Sequence, residues 1–529
     1  MTGSLSAETY LPREPQCKVA SQSWRQRSLV ALLAVALVGI AFLTHAHEDV
    51  DLLDEGYLWY GAIAVTEGQV PMRDFDSYDP GRYYWVAPWL LLIDRGLVPL
   101  RLACFAFHLG GVACGLLVVR RLTRSWWALA GAGGLITLWL IPAYMLNHTV
   151  ALIGVWVAVL LIERRSLARH VLAGAYVGVA TFFGRHLGLY AFVSFVLLQL
   201  VLWWKVDRRD GIRRALAFAG GGLLGYAPML VMLAVVPGYR ETVFDVLRRQ
   251  LEQGTTNLAR PVPWPWLGRT AWDVAVGVFF VAAPLFYALA AGWVALADGK
   301  ALVRRRVLLG AALVGAPYLH YAFSRADIQH LAMGIHPLLL GLLALPFAIG
   351  GRLRPLAVGL VAGVGALSLV AAGQANPYYQ RVTAPAGWYV PFALGRWTMW
   401  TPWPVANFLR GAIRFNATMV RPDEGFLIIP KIGPGLYAIL GRESPVWQIY
   451  FIHPHPEWWQ RRMIDELERK HVDWVLYEDV RTDGRPELTF PLTHRLMWEY
   501  IQREFEAVPV DGLPPNVSLL ARRGTAPAS

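Results

Sequence analysis

A succession of long apolar segments constrains this chain more than any other feature. A helix needs about 20 apolar residues to cross the hydrocarbon core of a membrane. Of the 529 residues, 56% are hydrophobic and only 16% are charged, which excludes an ordinary soluble globule and predicts a polytopic α-helical membrane protein. We expect about 11 transmembrane helices, at 29–45, 97–119, 126–143, 149–162, 170–184, 187–204, 215–236, 272–297, 307–323, 331–350 and 355–373.

Basic residues between these segments predict the orientation of the chain. If residues 1–28 are cytoplasmic, every second connection carries arginine or lysine, as the positive-inside rule requires. The formal net charge of +12 is thereby explained without a nucleic-acid partner, and none is expected. The first span has an alternative interpretation as a cleaved signal peptide, because basic residues precede it and "LTHA" ends it. Cleavage would leave the downstream orientation unchanged.

Composition divides the chain into a transmembrane domain, 29–373, and an extracytoplasmic C-terminal domain, 374–529. In the second part, "GFLIIP", "VDWVLYEDV" and "VSLLARR" have the pattern of strands. Between them, "PEWWQRRMIDELERKH" and "LTHRLMWEYIQREF" have helical periodicity. Alternating strands and helices predict a small α/β domain outside the membrane.

The first external loop, residues 46–96, is unusually acidic. Between Glu48 and Asp79 there are nine acidic residues and one basic residue, Arg73. A solvated surface loop is the simplest interpretation, but the many aromatic residues among the acids are typical of a membrane–water interface. We therefore expect helices lying along the membrane surface in this loop.

Two segments of the loop have the pattern of such interfacial helices. "EGYLWYGAIAVT" has helical apolar spacing and is ended by Gly68 and Pro71. "RYYWVAPWLLLIDRGL" predicts a second helix before the next span. Asp54 stands at the start of the first helix, where the helix dipole favours a carboxylate. A carboxylate held near lipid headgroups can also accept a proton.

This loop resembles that of membrane glycosyltransferases of the C-type (GT-C) fold. The most similar pattern is that of family 39, the protein O-mannosyltransferases, and of the bacterial lipid A aminoarabinose transferases. There an acidic "DE" pair is followed by an aromatic and small-residue helix, a glycine, a proline and a "PP-x-YYW"-like segment. Here Asp54–Glu55, "YLWYGAIAVTEG" and "DPGRYYWVA" match, and the resemblance covers residues 29 to about 125.

The resemblance implies inverting transfer of a sugar from a polyprenyl-phosphate donor to a hydroxyl acceptor on a lipid, glycan or protein. The reaction would occur at the extracytoplasmic face, in a bacterial inner membrane. Asp54 becomes the expected general base, and Glu55 a supporting catalytic residue. The matched closing segment makes three residues candidates for substrate binding: Asp79, Arg82 and Tyr83.

A phosphate leaving group requires positive charge where its negative charge develops. "FFGRHLGLY" places Arg185 and His186 between two spans, and "FSRADIQHL" places Arg325 at another external tip. We expect these three residues to bind the donor phosphate, and the neighbouring Asp327 and His330 to contact substrate. The structural alternatives are a snorkelling side chain for Arg185 and a local ion pair for Arg325.

Metal dependence is not expected. The family often carries a second carboxylate in the next external loop, but here that tip reads "PAYMLNHTV", with Asn147 and His148 instead. "DVD" (Asp49, Asp51) and "DFD" (Asp74, Asp76) offer the oxygen ligands that hard cations prefer. Such pairs arise easily by chance in an acidic loop, so we expect no cofactor.

Two other classes of function remain as alternatives. A flippase or transporter of lipid-linked sugars would carry ionisable residues near the bilayer midplane and paired broken helices. A polysaccharide polymerase or ligase would depend on basic residues and histidines in a large central external loop. The acidic residues of this chain are concentrated in one external loop, which disfavours a transporter. Loop 237–271 is of modest length, which disfavours a polymerase or ligase, so the transferase is favoured.

Overall fold

The structure, a computed structural model, describes residues 24–254, 257–349 and 351–524. Most of the predicted cytoplasmic segment 1–28 lies outside these ranges. The helices of the first part are α1 (Trp24–Leu43), α2 (Asp54–Thr66), α3 (Gly81–Leu92), α4 (Leu97–Val119), α5 (Trp126–Leu138), α6 (Asn147–Glu163), α7 (Leu167–Phe183), α8 (Arg185–Lys205), α9 (Gly211–Val235), α10 (Tyr239–Gln253), α11 (Ala271–Leu296), α12 (Gly299–Arg304), α13 (Arg306–Gly315), α14 (Tyr318–Ser324), α15 (Ile328–Ala348) and α16 (Arg354–Gln374).

Most of these helices can lie within a membrane. Among the described residues, seven are long and apolar enough to cross it, and the bent pair α13–α14 makes an eighth if it is one span. The apolar helices α5, α6 and α7 are shorter. Each predicted apolar segment overlaps one of these helices or the bent pair. The polytopic helical fold class is therefore confirmed, whereas the number of crossings stays a prediction.

The predicted continuous span at 307–323 is broken in the structure. α13 ends at Gly315 and α14 begins at Tyr318, with a bend of 43° between them. Pro317 lies at the break, where its ring and its missing N–H prevent the helical hydrogen bonds from continuing. α14 and the turn after it, residues 325–327, therefore do not continue in the direction of α13.

Helices α7 and α9 approach each other through small residues. A Cβ atom added to Gly178 would lie 2.3 Å from the carbonyl oxygen of Gly222, and one added to Gly221 would lie 2.2 Å from that of Val171. Such spacing of small residues allows the backbones of membrane helices to pack closely. Helix α7 ends at Phe183, whose backbone carbonyl accepts a hydrogen bond from Arg82 Nε at 2.9 Å.

The C-terminal domain contains both helices and strands, as predicted. Its elements are α17 (Pro377–Thr383), β1 (Tyr389–Leu394), β2 (Trp397–Pro402), α18 (Trp403–Thr418), β3 (Gly425–Ile429), α19 (Gly433–Leu440), α20 (Glu457–Arg469), β4 (Val472–Glu478), α21 (Phe490–Thr493), α22 (Arg495–Glu504), β5 (Phe505–Val508) and β6 (Val517–Arg522). A four-stranded sheet has the order β3-β4-β6-β5, in which only the β3–β4 pair is parallel. The α/β architecture of this domain is thus confirmed, whereas its extracytoplasmic placement stays a prediction.

The β1–β2 hairpin was not predicted. It joins the C-terminal domain to the first loop, because Trp400 N–H donates to the carbonyl of His47 and Asp49 N–H donates to that of Trp400, both at 2.7 Å. Helix α19 forms a second contact between the C-terminal domain and the first loop. A Cβ on Gly56 would lie 2.5 Å from the Cα of Gly435, so α2 and α19 contact each other backbone to backbone. The C-terminal domain therefore packs directly on the first loop.

Candidate active site

Asp54 is the first residue of α2, as predicted, and Asp51 shapes the turn before it. Asp51 Oδ1 accepts a hydrogen bond from the Leu53 N–H at 2.8 Å, and Oδ2 accepts a longer one from the Glu55 N–H at 3.5 Å. These are backbone groups that a helix start leaves without intrahelical partners. Asp51 therefore caps the helix, and the carboxylate of Asp54 is available for other contacts.

The surroundings of Asp54 suit a proton acceptor. Its carboxylate accepts a hydrogen bond from the hydroxyl of Tyr450, in the C-terminal domain. Burial raises the pKa of Asp54 above its ordinary value, and the charges of His330 and Arg325 oppose that shift. A base whose pKa is raised in this way is better matched to proton transfer near neutral pH.

Glu55 has a different environment from its neighbour. Both of its oxygens accept hydrogen bonds from the guanidinium of Arg101 on α4, at 2.7 and 2.6 Å, and both side chains are buried. Arg101 also donates to the backbone carbonyls of His45 at 2.8 Å and Glu48 at 2.6 Å. Glu55 therefore fastens the first loop to the membrane domain. Its predicted supporting role in catalysis stays a prediction.

Tyrosine side chains surround the carboxylate of Asp54. Four of them interact electrostatically with it: Tyr78, Tyr144, Tyr321 and Tyr450. The ring of Tyr57 lies 4.7 Å from that of Tyr78 and 5.8 Å from that of Tyr450, measured between centroids. Tyrosine hydroxyls both donate and accept hydrogen bonds, which suits the hydroxyl groups of a sugar.

Several loop aromatics do not lie at a membrane surface as expected. Tyr57, Phe75 and Tyr83 are buried, and they form part of a core that the first loop shares with the C-terminal domain. The hydroxyl of Tyr83 accepts a hydrogen bond from the Tyr78 N–H at 3.0 Å. The expectation was wrong for these rings because the covering domain, and not lipid, supplies their apolar contacts.

Arg325 lies in the turn between α14 and α15, where it contacts two carboxylates. Its Nε donates to Asp327 Oδ2 at 3.0 Å, and its two terminal nitrogens donate to Asp483 at 2.6 and 2.8 Å. Arg260 forms a second ion pair with Asp483. Burial alone would raise the pKa of Asp483, but the hydrogen bonds from Arg325 and Arg260 lower it to about 2. The predicted phosphate ligand is thus paired with a carboxylate of the C-terminal domain.

Asp327 and His330 form a pair at the start of α15. Asp327 Oδ1 accepts hydrogen bonds from the backbone N–H of His330 at 2.9 Å and from its Nδ1 at 2.8 Å. The imidazole of His330 stacks on the ring of Tyr321, with a centroid distance of 5.2 Å and an angle of 27°. Both candidate substrate contacts therefore lie beside Arg325 and within electrostatic range of Asp54.

Arg82, on α3 of the first loop, and His186, on α8, line the same region. Arg82 is buried over the ring of Tyr78, at 4.7 Å, and its Nε donates to the carbonyl of Phe183 at 2.9 Å. His186 contacts the side chain of Asn147 at 3.3 Å. Its ring also stacks on Tyr321, 5.2 Å away. The structure thus brings both residues towards the tyrosines around Asp54.

Arg185 and Asp79 form a separate pair. Arg185 Nε lies 2.9 Å from Asp79 Oδ1, and the Arg185 backbone N–H donates to Asp79 Oδ2 at 2.9 Å. Asp79 therefore caps the start of α8. The predicted role of Arg185 at the donor phosphate stays a prediction.

The acidic pairs of the first loop have protein partners. Asp74 pairs with Arg73 at 2.8 Å, and Asp49 Oδ1 accepts hydrogen bonds from the Val50 N–H and the Thr401 hydroxyl. Within the described ranges, no three metal-ligating side chains come together. The expectation that the protein needs no metal stays a prediction.

Asp76 belongs to a second buried cluster, which the sequence did not indicate. It lies 3.5 Å from Arg249 of α10. The guanidinium of Arg249 stands over the rings of Trp447 and Trp459, at 5.5 and 5.0 Å. Burial raises the pKa of Asp76, and the charge of Arg249 opposes the shift. The cluster attaches α10 to the C-terminal domain.

Sequence reasoning missed the contributions of the C-terminal domain to this region. Tyr450 and Asp483 both reach the residues around Asp54, yet neither lies in a motif with a known spacing. The available signal was the density of aromatic residues and histidines in "WQIYFIHPH", residues 447–455. Such density in a segment without strand or helix periodicity is typical of a loop that lines a site.

The fold is similar to those of solved membrane enzymes. No family model and no curated protein matches the chain. The crystal structure of ArnT from Cupriavidus metallidurans in the apo state is 12% identical, with a TM-score of 0.51, over 94% of this chain and 98% of that one. The oligosaccharyltransferase AglB from Archaeoglobus fulgidus, in complex with an inhibitory peptide and a dolichol-phosphate, is 12% identical with a TM-score of 0.49, over 94% of this chain and 76% of that one. The likeness to ArnT confirms that the chain has the fold that the first-loop motif implies, the GT-C fold.

Proposed function

We propose that this chain is an inverting glycosyltransferase of the extracytoplasmic membrane face. It transfers a sugar from a polyprenyl-phosphate donor to a hydroxyl acceptor on a lipid, glycan or protein. The observation that carries the proposal is the placement of Asp54: a carboxylate with a raised pKa, at the start of α2, within electrostatic range of Arg325 and His330. The GT-C fold and the matched first-loop motif support it.

The reaction follows from the charges around Asp54. The Asp54 carboxylate accepts the proton of the acceptor hydroxyl while the acceptor oxygen attacks the anomeric carbon. The bond from that carbon to the phosphate oxygen breaks, and its electron pair passes to the phosphate. Arg325, a bidentate donor, stabilises the negative charge that develops there. Attack from the face opposite the leaving phosphate inverts the anomeric carbon.

Reconstituted protein separates this proposal from its alternatives. Liposomes containing the purified chain and a radiolabelled polyprenyl-phosphate sugar are incubated with candidate acceptors, and product and sidedness are measured. Transfer of the label to an acceptor supports the transferase. Movement of intact donor between leaflets without transfer identifies a flippase. Growth of a polymer from lipid-linked oligosaccharide identifies a polymerase or ligase.

Asp483→Asn is expected to improve donor binding. The Asp483 carboxylate forms a bidentate ion pair with Arg325, and a donor phosphate must compete with it. The amide of Asn cannot make this pair, so the KM for the donor should fall about three- to tenfold, which corresponds to about 1 kcal/mol of charge-assisted hydrogen bonding. Initial rates over a range of donor concentrations give KM and kcat.

Asp245→Asn is the matched control for this variant. Asp245 of α10 forms an ion pair with Arg462 of the C-terminal domain at 3.2 Å, so it also joins the two parts of the chain. It does not contact Arg325, and its variant should leave KM for the donor unchanged. An equal fall in both variants would attribute the effect to looser domain packing, and a higher KM in Asp483→Asn would show that the carboxylate helps to build the donor site.

A further inference from the structure

The pair formed by Asp327 and His330 has the geometry of a proton donor held in place by a carboxylate. Asp327 Oδ1 receives both the backbone N–H and the Nδ1 of His330, at 2.9 and 2.8 Å. The second contact assigns the Nδ1 proton to the side facing Asp327 and leaves Nε2 on the opposite edge of the ring. Within the part of the chain that the structure describes, Nε2 has no hydrogen-bond partner.

The imidazole ring of His330 is held by contacts with Asp327 and Tyr321. Asp327 is the N-cap of α15, and its other oxygen accepts a hydrogen bond from Arg325 Nε at 3.0 Å. Tyr321, from the bent helix α14, stacks against one face of the imidazole. A catalytic group is most effective when its rotamer is fixed by packing and by hydrogen bonds to its neighbours.

His330 also lies where a proton would be needed. Among the charged groups that act on Asp54, His330 has the largest effect, ahead of Arg325. Asp54 is the proposed base, and Arg325 the proposed ligand of the donor phosphate. His330 is therefore joined to Arg325 through Asp327, and it also acts electrostatically on Asp54.

Several charged groups surround the imidazole of His330. The carboxylate of Asp327 accepts a hydrogen bond from Nδ1 at 2.8 Å. Arg325 and Arg260 contact the other oxygen of Asp327, at 3.0 and 3.8 Å. The ion pairs of Arg325 with Asp327 and Asp483 offset much of the guanidinium charge.

We propose that His330, positioned by Asp327, is a general acid that donates its Nε2 proton to the departing phosphate oxygen. This step rests on the proposed sugar transfer. The acceptor proton moves to Asp54, the bond between the anomeric carbon and the phosphate oxygen breaks, and the phosphate receives a proton from His330. Protonated Asp54 then returns its proton to His330 Nε2. The net change moves one proton from acceptor to polyprenyl phosphate, and no other reactant is needed.

The test is the pH dependence of kcat/KM in reconstituted protein. Wild type should give a bell-shaped profile, with an acidic limb from Asp54 and a basic limb from loss of the imidazolium proton. His330→Gln should lower the rate at the optimum by at least about tenfold and should remove the basic limb. Asp327→Asn keeps the helix cap, because Asn also caps helices. Asp327→Asn should retain the basic limb of the pH profile but move it to lower pH.

His320→Gln is the control. His320 is an exposed histidine on the neighbouring helix α14, hydrogen-bonded to Tyr190 at 2.8 Å, and its replacement should leave both limbs in place. If His330→Gln keeps the basic limb and a rate within about twofold of wild type, the general-acid role is refuted while the transferase stands. If wild-type protein transfers no sugar from any polyprenyl-phosphate donor, the proposed function itself fails first.

Discussion

Asp54→Asn is expected to lower the rate of sugar transfer by about 10²–10⁴-fold, the usual contribution of a positioned general base. Asn has nearly the same shape and can still accept a hydrogen bond from Tyr450, so the fold should be retained. It cannot take a proton from the acceptor hydroxyl at neutral pH. The effect should therefore appear in kcat, measured as initial rate at saturating donor and acceptor, with little change in KM for the donor.

Asp51→Asn is the sharpest comparison for this variant. Burial, together with the charges of Asp54 and Glu55, raises the pKa of Asp51 to about 7, so on pKa alone Asp51 would also serve as a base. Its oxygens, however, accept backbone N–H groups at the start of α2. An Asn at this position keeps the cap, and activity should stay within about tenfold of wild type. A severe loss in Asp51→Asn with a mild one in Asp54→Asn would reverse the assignment.

Asp74→Asn controls for the removal of a carboxylate from the first loop. Asp74 is paired with Arg73 near the surface of the same loop, and it does not contact Tyr450 or Arg325. An exposed ion pair contributes about 0–1 kcal/mol to stability, so this variant should fold and turn over normally. Circular dichroism and size-exclusion profiles in detergent establish that all three variants are folded.

The raised pKa of Asp54 also predicts a pH dependence. Burial shifts the carboxyl upwards, so it becomes protonated, and inactive as a base, at a higher pH than an ordinary aspartate would. Transfer should therefore fall as the pH is lowered through that raised pKa, well before the pH of about 4 at which an exposed aspartate titrates. An acidic limb at the ordinary position would contradict the buried setting of Asp54.

The sequence predicts those structural features that depend on residues close together in the chain. The start of α2 at Asp54 and its end before Gly68 follow from helical spacing and a turn signal within about a dozen residues. The apolar spans follow from hydropathy. The sequence has a proline, Pro317, where the span 307–323 breaks. A proline alone does not predict a break, however, because Pro284 lies inside the unbroken helix α11. Whether a proline breaks a span depends on neighbouring helices.

The contacts around Asp54 were not predictable in the same way. Tyr450 and Asp483 are roughly 400 residues from Asp54 in the sequence. Tyr450 reaches Asp54, and Asp483 reaches Arg325, only because the C-terminal domain packs on α2. The unpredicted β1–β2 hairpin is part of that packing. Its first strand contains Pro391, which weakens a strand prediction. The contact between Glu55 and Arg101 was not predictable either. Hydropathy identifies the helix that carries Arg101 as a span, but it does not show which residue Arg101 pairs with.

Breaking the Glu55–Arg101 pair is expected to destabilise the protein by about 3–5 kcal/mol, the usual cost of leaving one buried charge without its partner. In Glu55→Gln, the guanidinium of Arg101 loses its counter-charge but keeps the backbone carbonyls of His45 and Glu48. In Arg101→Met those carbonyls also lose a donor, so this variant should be the less stable of the two. Thermal unfolding of the purified proteins in detergent measures the order.

Glu67→Gln is the matched control, because Glu67 lies directly after the same helix and pairs with Arg95 at a solvent-accessible position. Its loss should cost less than about 1 kcal/mol. The comparison also separates the two roles that Glu55 could have. If Glu55 only fastens the loop to α4, Glu55→Gln assayed well below its unfolding temperature should keep transfer within about tenfold of wild type. If it supports Asp54 chemically, the same variant should lose transfer as severely as Asp54→Asn does, even where the protein is fully folded.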